Sequence, residues 1–340
     1  MAALVVAAQS FDAVKVAIDA ARAALGVPAA TYALASVGLN VQFGYTGLLN
    51  FGHVAFLLVG AYGTAVSVSE WGLPLWLGVL VGVALAVVLA LLVGLPTLRL
   101  RADYLAIVTI AIAEILRYAV RSRTLQPWTG GTQGLQGWAG DFYSVNPIPS
   151  GRYGIGRLTF DSRQLWVMTV GWGLVALTSL VVWAAMRSPW GRVLRAIRED
   201  EDVARSLGKN VVSYKMQSLV LGGVIGALAG MVLSIDSQFV DPTYFVAAVT
   251  FYAYAIVILG GRGHVAAPVI GSVVFWFLFQ LIDTGLREAI GAGWISPALV
   301  APSDVGAVQN AVVGIGLMAV MVLVPQGIVG TRSELLLDER

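Results

Sequence analysis

The 340-residue sequence contains no cysteine. Disulfides, thiolate metal sites and cysteine nucleophiles are therefore excluded. There are only two histidines, His53 and His264, far apart in the chain, so a histidine metal cluster is not expected. Charge is scarce too. Asp, Glu, Lys and Arg together make up 12% of the chain, against about 25% in a soluble domain. That leaves too little polar surface to coat a water-exposed fold. The net charge of +2 gives no electrostatic case for nucleic acid. The phosphate-binding pattern G-x-x-x-x-G-K-S/T is also missing: Gly208-Lys209 is followed by Asn210, and the upstream glycine is absent. By that route the chain hydrolyses no ATP, and it is read as a non-enzyme. MAALVVAAQS at the start lacks a basic segment, so no cleavable signal peptide is expected.

What is present is oil. Hydrophobic residues make up 58% of the chain and the mean hydropathy is +0.82. A spanning helix needs about 20 mostly apolar residues. That length predicts spans near 28–47, 51–69, 73–95, 103–122, 164–186, 212–234, 245–262, 265–286 and 306–325. The expected fold is an all-α polytopic membrane protein with about 8–10 transmembrane or re-entrant helices. The first two spans are separated only by GYTGLLNFG, which predicts a broken or re-entrant helix there. Residues 1–27 form an amphipathic N-terminal segment. Phe11, Val14, Ile18, Ala21 and Leu25 make its apolar stripe, with Asp12, Lys15, Asp19 and Arg22 opposite, and the segment is expected to lie on the membrane surface. Residues 28–330 form the transmembrane domain, and residues 331–340 a tail.

The densest charge lies at 187–211. SPWGRVLRAIREDEDVARSLGKN holds Arg192, Arg195, Arg198, Arg205 and Lys209, and the acids Glu199, Asp200, Glu201 and Asp202 in a row. By the positive-inside rule this loop is cytoplasmic, as are Arg99, Arg101, Arg262 and the Arg332 tail. The long Gly-rich loop 124–163 then falls outside, with turns and a short hairpin expected in it. Arg117, Arg121 and Arg123 at the outer end of a span run against the rule.

Local chemistry makes the charged insert two short helices. Pro189 and Gly191 break the preceding span, and Val193, Leu194 and Ile197 form one apolar stripe. Asp200 can cap a second helix, whose apolar side is Val203, Ala204 and Leu207, and Gly208 suits a left-handed terminus. Topology alone requires a few basic residues, not a capped amphipathic helix, so the insert is read as a docking element for another protein.

Here the residues reach a family. Asp202-Val203-Ala204-x-x-x-Gly208 resembles, in degenerate form, the cytoplasmic coupling loop of ABC importer permeases. RLRADYLAIVTIAIAEILR (99–117), GYTGLLNFGHVAFLLVGAY (44–62), TGGTQGL (129–135), GRVLRAIREDEDVARSLGKN (191–210), AIVILGGRG (255–263) and VPQGIVG (324–330) resemble, in order, blocks of branched-chain amino-acid ABC permeases. Length and outer loop resemble the larger of that system's two permease subunits. Ala102 stands where the family usually has Gly.

The resemblance implies a second related permease, two ATPase subunits that use ATP and Mg, an extracytoplasmic substrate-binding protein, and a place in the bacterial cytoplasmic membrane with the C-terminus inside. It implies no cofactor bound by this chain. ATPase coupling falls to Arg195, Arg198, Glu201, Asp202, Ala204, Leu207 and Gly208.

Polar groups inside spans line cavities or helix contacts. The candidates for a substrate path are Asn40, Gln42, Asn50, His53, Tyr62, Tyr104, Thr109 and Glu114. For His53 an interhelical hydrogen bond is the competing reading. For Glu114 it is a local ion pair with Arg117. Gly222, Gly226 and Gly230 are read as close helix packing. The substrate is expected to be a branched-chain or other aliphatic amino acid, with urea or a short amide as the alternative. A stand-alone secondary transporter or channel is the rival class, and it would need more intramembrane acids than Glu114.

Overall fold

The computed structural model describes residues 11–98, 100, 102–296, 300, 301, 303–324 and 326–330. The expectations placed on residues 1–10, on Arg99 and Arg101 and on the tail 331–340 lie outside the described residues. The chain is helical nearly throughout. Its helices are α1 (Ala13–Leu25), α2 (Val27–Leu39), α3 (Val54–Ser69), α4 (Leu75–Thr97), α5 (Ala102–Arg121), the short α6 (Gln126–Thr129) and α7 (Gly140–Ser144), α8 (Ser162–Arg187), α9 (Pro189–Glu199), α10 (Glu201–Ser206), α11 (Val211–Ser237), α12 (Ala247–Gly260), α13 (Ala267–Gly291) and α14 (Val305–Leu323). A π-helical turn, Asn40–Tyr45, extends α2.

Among the described residues six helices are long and apolar enough to cross a membrane, and a seventh span is formed if α1 and α2, bent by 42° at Gly26, count as one. Two of the nine expected spans are marginal for stated reasons. The apolar helix at 51–69 starts only at Val54 and has 16 residues. α5 has 20 residues but carries Asp103, Glu114, Arg117 and Arg121.

α11 is the hub. Its core window is 72% buried against 12% for α14, so α11 is central and α14 peripheral. Its glycines allow this. A Cβ on Gly222 would collide with the Gly38 carbonyl of α2, and one on Gly230 with the Leu57 carbonyl of α3. Without water to drive apolar helices together, such backbone approach supplies the dispersion contacts that hold a bundle.

The loop at 124–163 is ordered by pairing. β1 (Leu135–Gln136) pairs antiparallel with β4 (Phe239–Val240), just after α11. β2 (Arg152–Ile155) and β3 (Leu158–Asp161) form the expected hairpin, with Gly156 at φ +61° opening its two-residue turn. Asp161 then starts α8 with a capping box: its carboxylate accepts from Gln164 N at 2.7 Å, and Gln164 Oε1 accepts from Asp161 N at 3.4 Å. These elements define a hairpin end of the bundle, opposite the α9–α10 end.

The first helix packs on the bundle through its small residues. α1 buries Val16, Ala20 and Ala24 and leaves Val14 and Leu25 of the predicted stripe exposed. It is docked along α13, with Lys15 paired to Glu288 and Phe11 stacked on Trp294 at 4.6 Å. Small residues make the tight contact with the bundle.

Candidate functional site

The predicted break in the second span is real. After the π turn, residues 46–53 leave the helix in mid-bundle before α3 begins. Backbone polar groups freed inside a bundle need partners, and side chains from four directions supply them. Thr46 Oγ1 donates to Val41 O at 2.9 Å and lies 2.7 Å from Ser218 Oγ. Ser218 Oγ donates to Val41 O at 3.0 Å. Thr109 Oγ1 accepts from Phe51 N at 3.1 Å, and Thr250 Oγ1 from Val54 N at 2.9 Å. Asn50 Oδ1 accepts from Gly52 N at 3.1 Å.

The amides extend this network. Asn50 Nδ2 donates to Gln42 Oε1 at 2.9 Å, and Gln42 Nε2 to Leu219 O at 3.2 Å. Asn40 bridges to the turn after α12: Nδ2 donates to His264 O at 2.9 Å and Oδ1 accepts from Gly263 N at 3.0 Å. His53 is fully buried at the edge of the network. It packs on α11, where a Cβ on Gly226 would lie 2.8 Å from Nε2.

The structure thus gathers Asn40, Gln42, Asn50, His53 and Thr109 around one break. It does not bring the other three candidates there. Tyr62 sits further along α3 beside Phe245, its hydroxyl buried and unpartnered. Tyr104 is 61% exposed. Glu114 is ion-paired with Arg117 at 2.6 Å, as expected, and the guanidinium lies over the Tyr118 ring. Thr46, Ser218 and Thr250 were missed, although a lone hydroxyl in an apolar run is the available signal.

At the α9–α10 end the insert folds as two short helices. Asp200 Oδ1 accepts from Asp202 N at 2.9 Å and Val203 N at 3.0 Å. The second helix ends in a Schellman motif, with Lys209 N donating to Ala204 O at 3.2 Å and Gly208 N to Arg205 O at 3.0 Å. Gly208 is left-handed at φ +76°. Ala204 is buried at 1% exposure, against Ile197 and Val211. Val203 and Leu207 are 55% and 73% exposed. Glu201 is held by Lys215 and Arg205, and Asp202 by Arg205 at 2.8 Å. Arg195 Nη2 donates to Met186 O at 2.8 Å, tying α9 to the end of α8.

Arg198 points inward. Its Nη1 donates to Gly44 O in the π turn at 2.6 Å. A Cβ on Gly263 would come within 2.8 Å of the same nitrogen, and one on Gly47 within 3.3 Å of Cγ. One guanidinium therefore joins the charged loop, the broken helix and the turn after α12. Beside it a cavity of about 250 Å³ is lined by Gly47, Leu98, Leu105, Glu201 and Lys215.

Residues 23–324 match the family described as branched-chain amino acid transport system, permease component. The chain belongs to this family. Its permease relatives include the high-affinity branched-chain amino acid transport system permease proteins LivM of Salmonella typhimurium and Escherichia coli. Each is 31% identical over 264 residues, covering 72% of this chain and 59% of the relative. The chain therefore spans less than two thirds of their length. LivH of Escherichia coli is 25% identical, covering 88% of this chain and 91% of that one. The permease is closer to LivM than to LivH. With six helices among the described residues long and apolar enough to cross a membrane, it is a multi-pass membrane protein of the transport class.

Proposed function

We propose that this permease is the larger transmembrane subunit of an ABC importer, moving branched-chain or other aliphatic amino acids inward with a second permease, two ATPase subunits and an extracytoplasmic binding protein. It sits in the bacterial cytoplasmic membrane with the α9–α10 end and the C-terminus in the cytoplasm.

The observation that carries this is the division of labour on α10. One side is fixed to the bundle through Ala204, while Val203 and Leu207 stand out to solvent on a helix capped at both ends. Apolar anchors on a rigid, charge-flanked helix suit a groove on a partner. The gene products named LivM and LivH are branched-chain amino acid permeases, which supports the substrate class. Against a stand-alone transporter, Glu114 is already neutralised by Arg117 and offers no ion relay.

The chain performs no covalent chemistry. ATPase closure moves the α9–α10 element. Arg198 carries that movement to Gly44, and so to the break whose backbone and amides can exchange partners with a passing zwitterion.

The test is Leu207→Asp in the complete system, with labelled leucine and labelled urea as substrates. The reading predicts leucine uptake by the native complex and loss of both uptake and ATPase association in the variant, with membrane insertion retained. Normal uptake by the variant refutes the docking role, and uptake of urea in place of leucine refutes the substrate.

A further inference from the structure

A second polar site lies at the hairpin end, where α1 bends into α2. A cavity of about 340 Å³ opens between the α1–α2 bend, α8, α11 and α13. A second depression of about 330 Å³ adjoins it, sharing Arg22, Phe160 and Gln164. Each falls in the size range of small-molecule sites.

The lining is sorted by chemistry. Asp236, near the end of α11, faces the cavity and has no hydrogen-bond or ion-pair partner among the described residues. Arg22 and Arg152 line the adjoining part. Arg22 shares one nitrogen with Asp19 at 3.2 Å and another with Arg157 O at 3.2 Å, and its Nε has no acceptor. Arg152 has no ion pair among the described residues. Asp19 and Asp161 line the same two cavities, and Val27, Pro28, Met168 and Phe160 give the first its apolar wall.

An unpaired carboxylate, two under-used guanidiniums and an apolar wall match a molecule with one ammonium, one carboxylate and a short hydrocarbon side chain. We infer that this cavity is a binding subsite for a free aliphatic α-amino acid, with the ammonium on Asp236, the carboxylate on Arg22 and Arg152, and the side chain against Val27, Pro28 and Met168. The inference rests on the amino-acid reading above and places a first station for the substrate on this chain, at the opposite end of the bundle from α9–α10. An ion alone would leave the guanidiniums or the carboxylate unused, and a neutral amide would leave both.

The experiment measures binding of tritiated leucine to the purified full chain in nanodiscs. The competitors are isocaproate, which is leucine without the ammonium, and isoamylamine, which is leucine without the carboxylate. The inference predicts displacement by leucine but not by either truncated analogue. Asp236→Asn and Arg22→Gln should each weaken binding about tenfold or more, the loss expected of one charge-assisted contact. Absence of leucine binding, competition by isoamylamine equal to that by leucine, or native affinity in Asp236→Asn would each overturn it. The analogue competition uses the native chain and so decides the matter even where a variant does not fold. Leucine uptake by the complete complex, measured in parallel, separates the two claims. Native uptake with an unchanged KM in Asp236→Asn removes the subsite and leaves the permease. Absence of native uptake removes the permease reading whatever the chain binds.

Discussion

Arg198 ties its own loop to two segments remote in sequence, around Gly44–Gly47 and at Gly263, and its partner Gly44 O is 154 positions away. With its side chain only 20% exposed, its guanidinium is turned into the bundle rather than out to solvent. A charge-assisted hydrogen bond of this kind contributes about 1.5–3 kcal/mol. Arg198→Ala should lower the melting temperature of the purified chain. It should also cut leucine uptake about tenfold or more while the ATPase subunits still co-purify. Loss of co-purification would return Arg198 to the docking surface. Gly230 gives a second test. A Cβ there meets the Leu57 carbonyl, and overpacking of this kind costs about 1–3 kcal/mol. Gly230→Ala should therefore destabilise the chain in a thermal melt, whereas Ala at the open Gly173 should not. The backbone roles of Gly208 and Gly230 and the Glu114–Arg117 pair were legible because each is set by neighbours within a turn or by a short repeat. The inward turn of Arg198 was not, because it depends on which distant backbone arrives beside it.

At the scale of elements, α10 has six residues and no length of its own to hold it helical. Its order comes from the Asp200 cap, the Schellman turn and the burial of Ala204. Removing an N-cap costs about 0.5–2 kcal/mol. Asp200→Ala should accelerate amide hydrogen exchange across 201–207 while leaving α11 protected, and unchanged exchange there would contradict this account of the helix. The same logic explains which elements could be read in advance. Breaks were marked by glycine, proline and capping acids, so the α9–α10 pair, the 46–53 break and the 152–161 hairpin were all foreseeable. The docking of α1 along α13 was not. In an apolar surrounding the large side chains gain nothing by turning inward, and alanines make the closer contact. That left Val14 outside and Ala20 inside.

Over the whole molecule the two polar regions lie at opposite ends of a bundle organised on α11. The broken helix stands between them, held by hydroxyls from α5, α11 and α12 and by amides of its own. This arrangement suits a protein that receives a small polar solute at one face and a mechanical input at the other. Composition revealed the membrane class and the order of the motif blocks revealed the family. The cavity at the α1–α2 bend was invisible in sequence, since its residues come from four separate stretches, 19–28, 160–168, 236 and 280. The most direct measurement of the central claim is a pull-down of the tagged chain from native membranes, with mass spectrometry of its companions and ATPase activity of the eluate. The account predicts a second permease, ABC ATPase subunits, and hydrolysis stimulated by leucine-loaded binding protein. A chain that elutes alone, without ATPase activity, would contradict it.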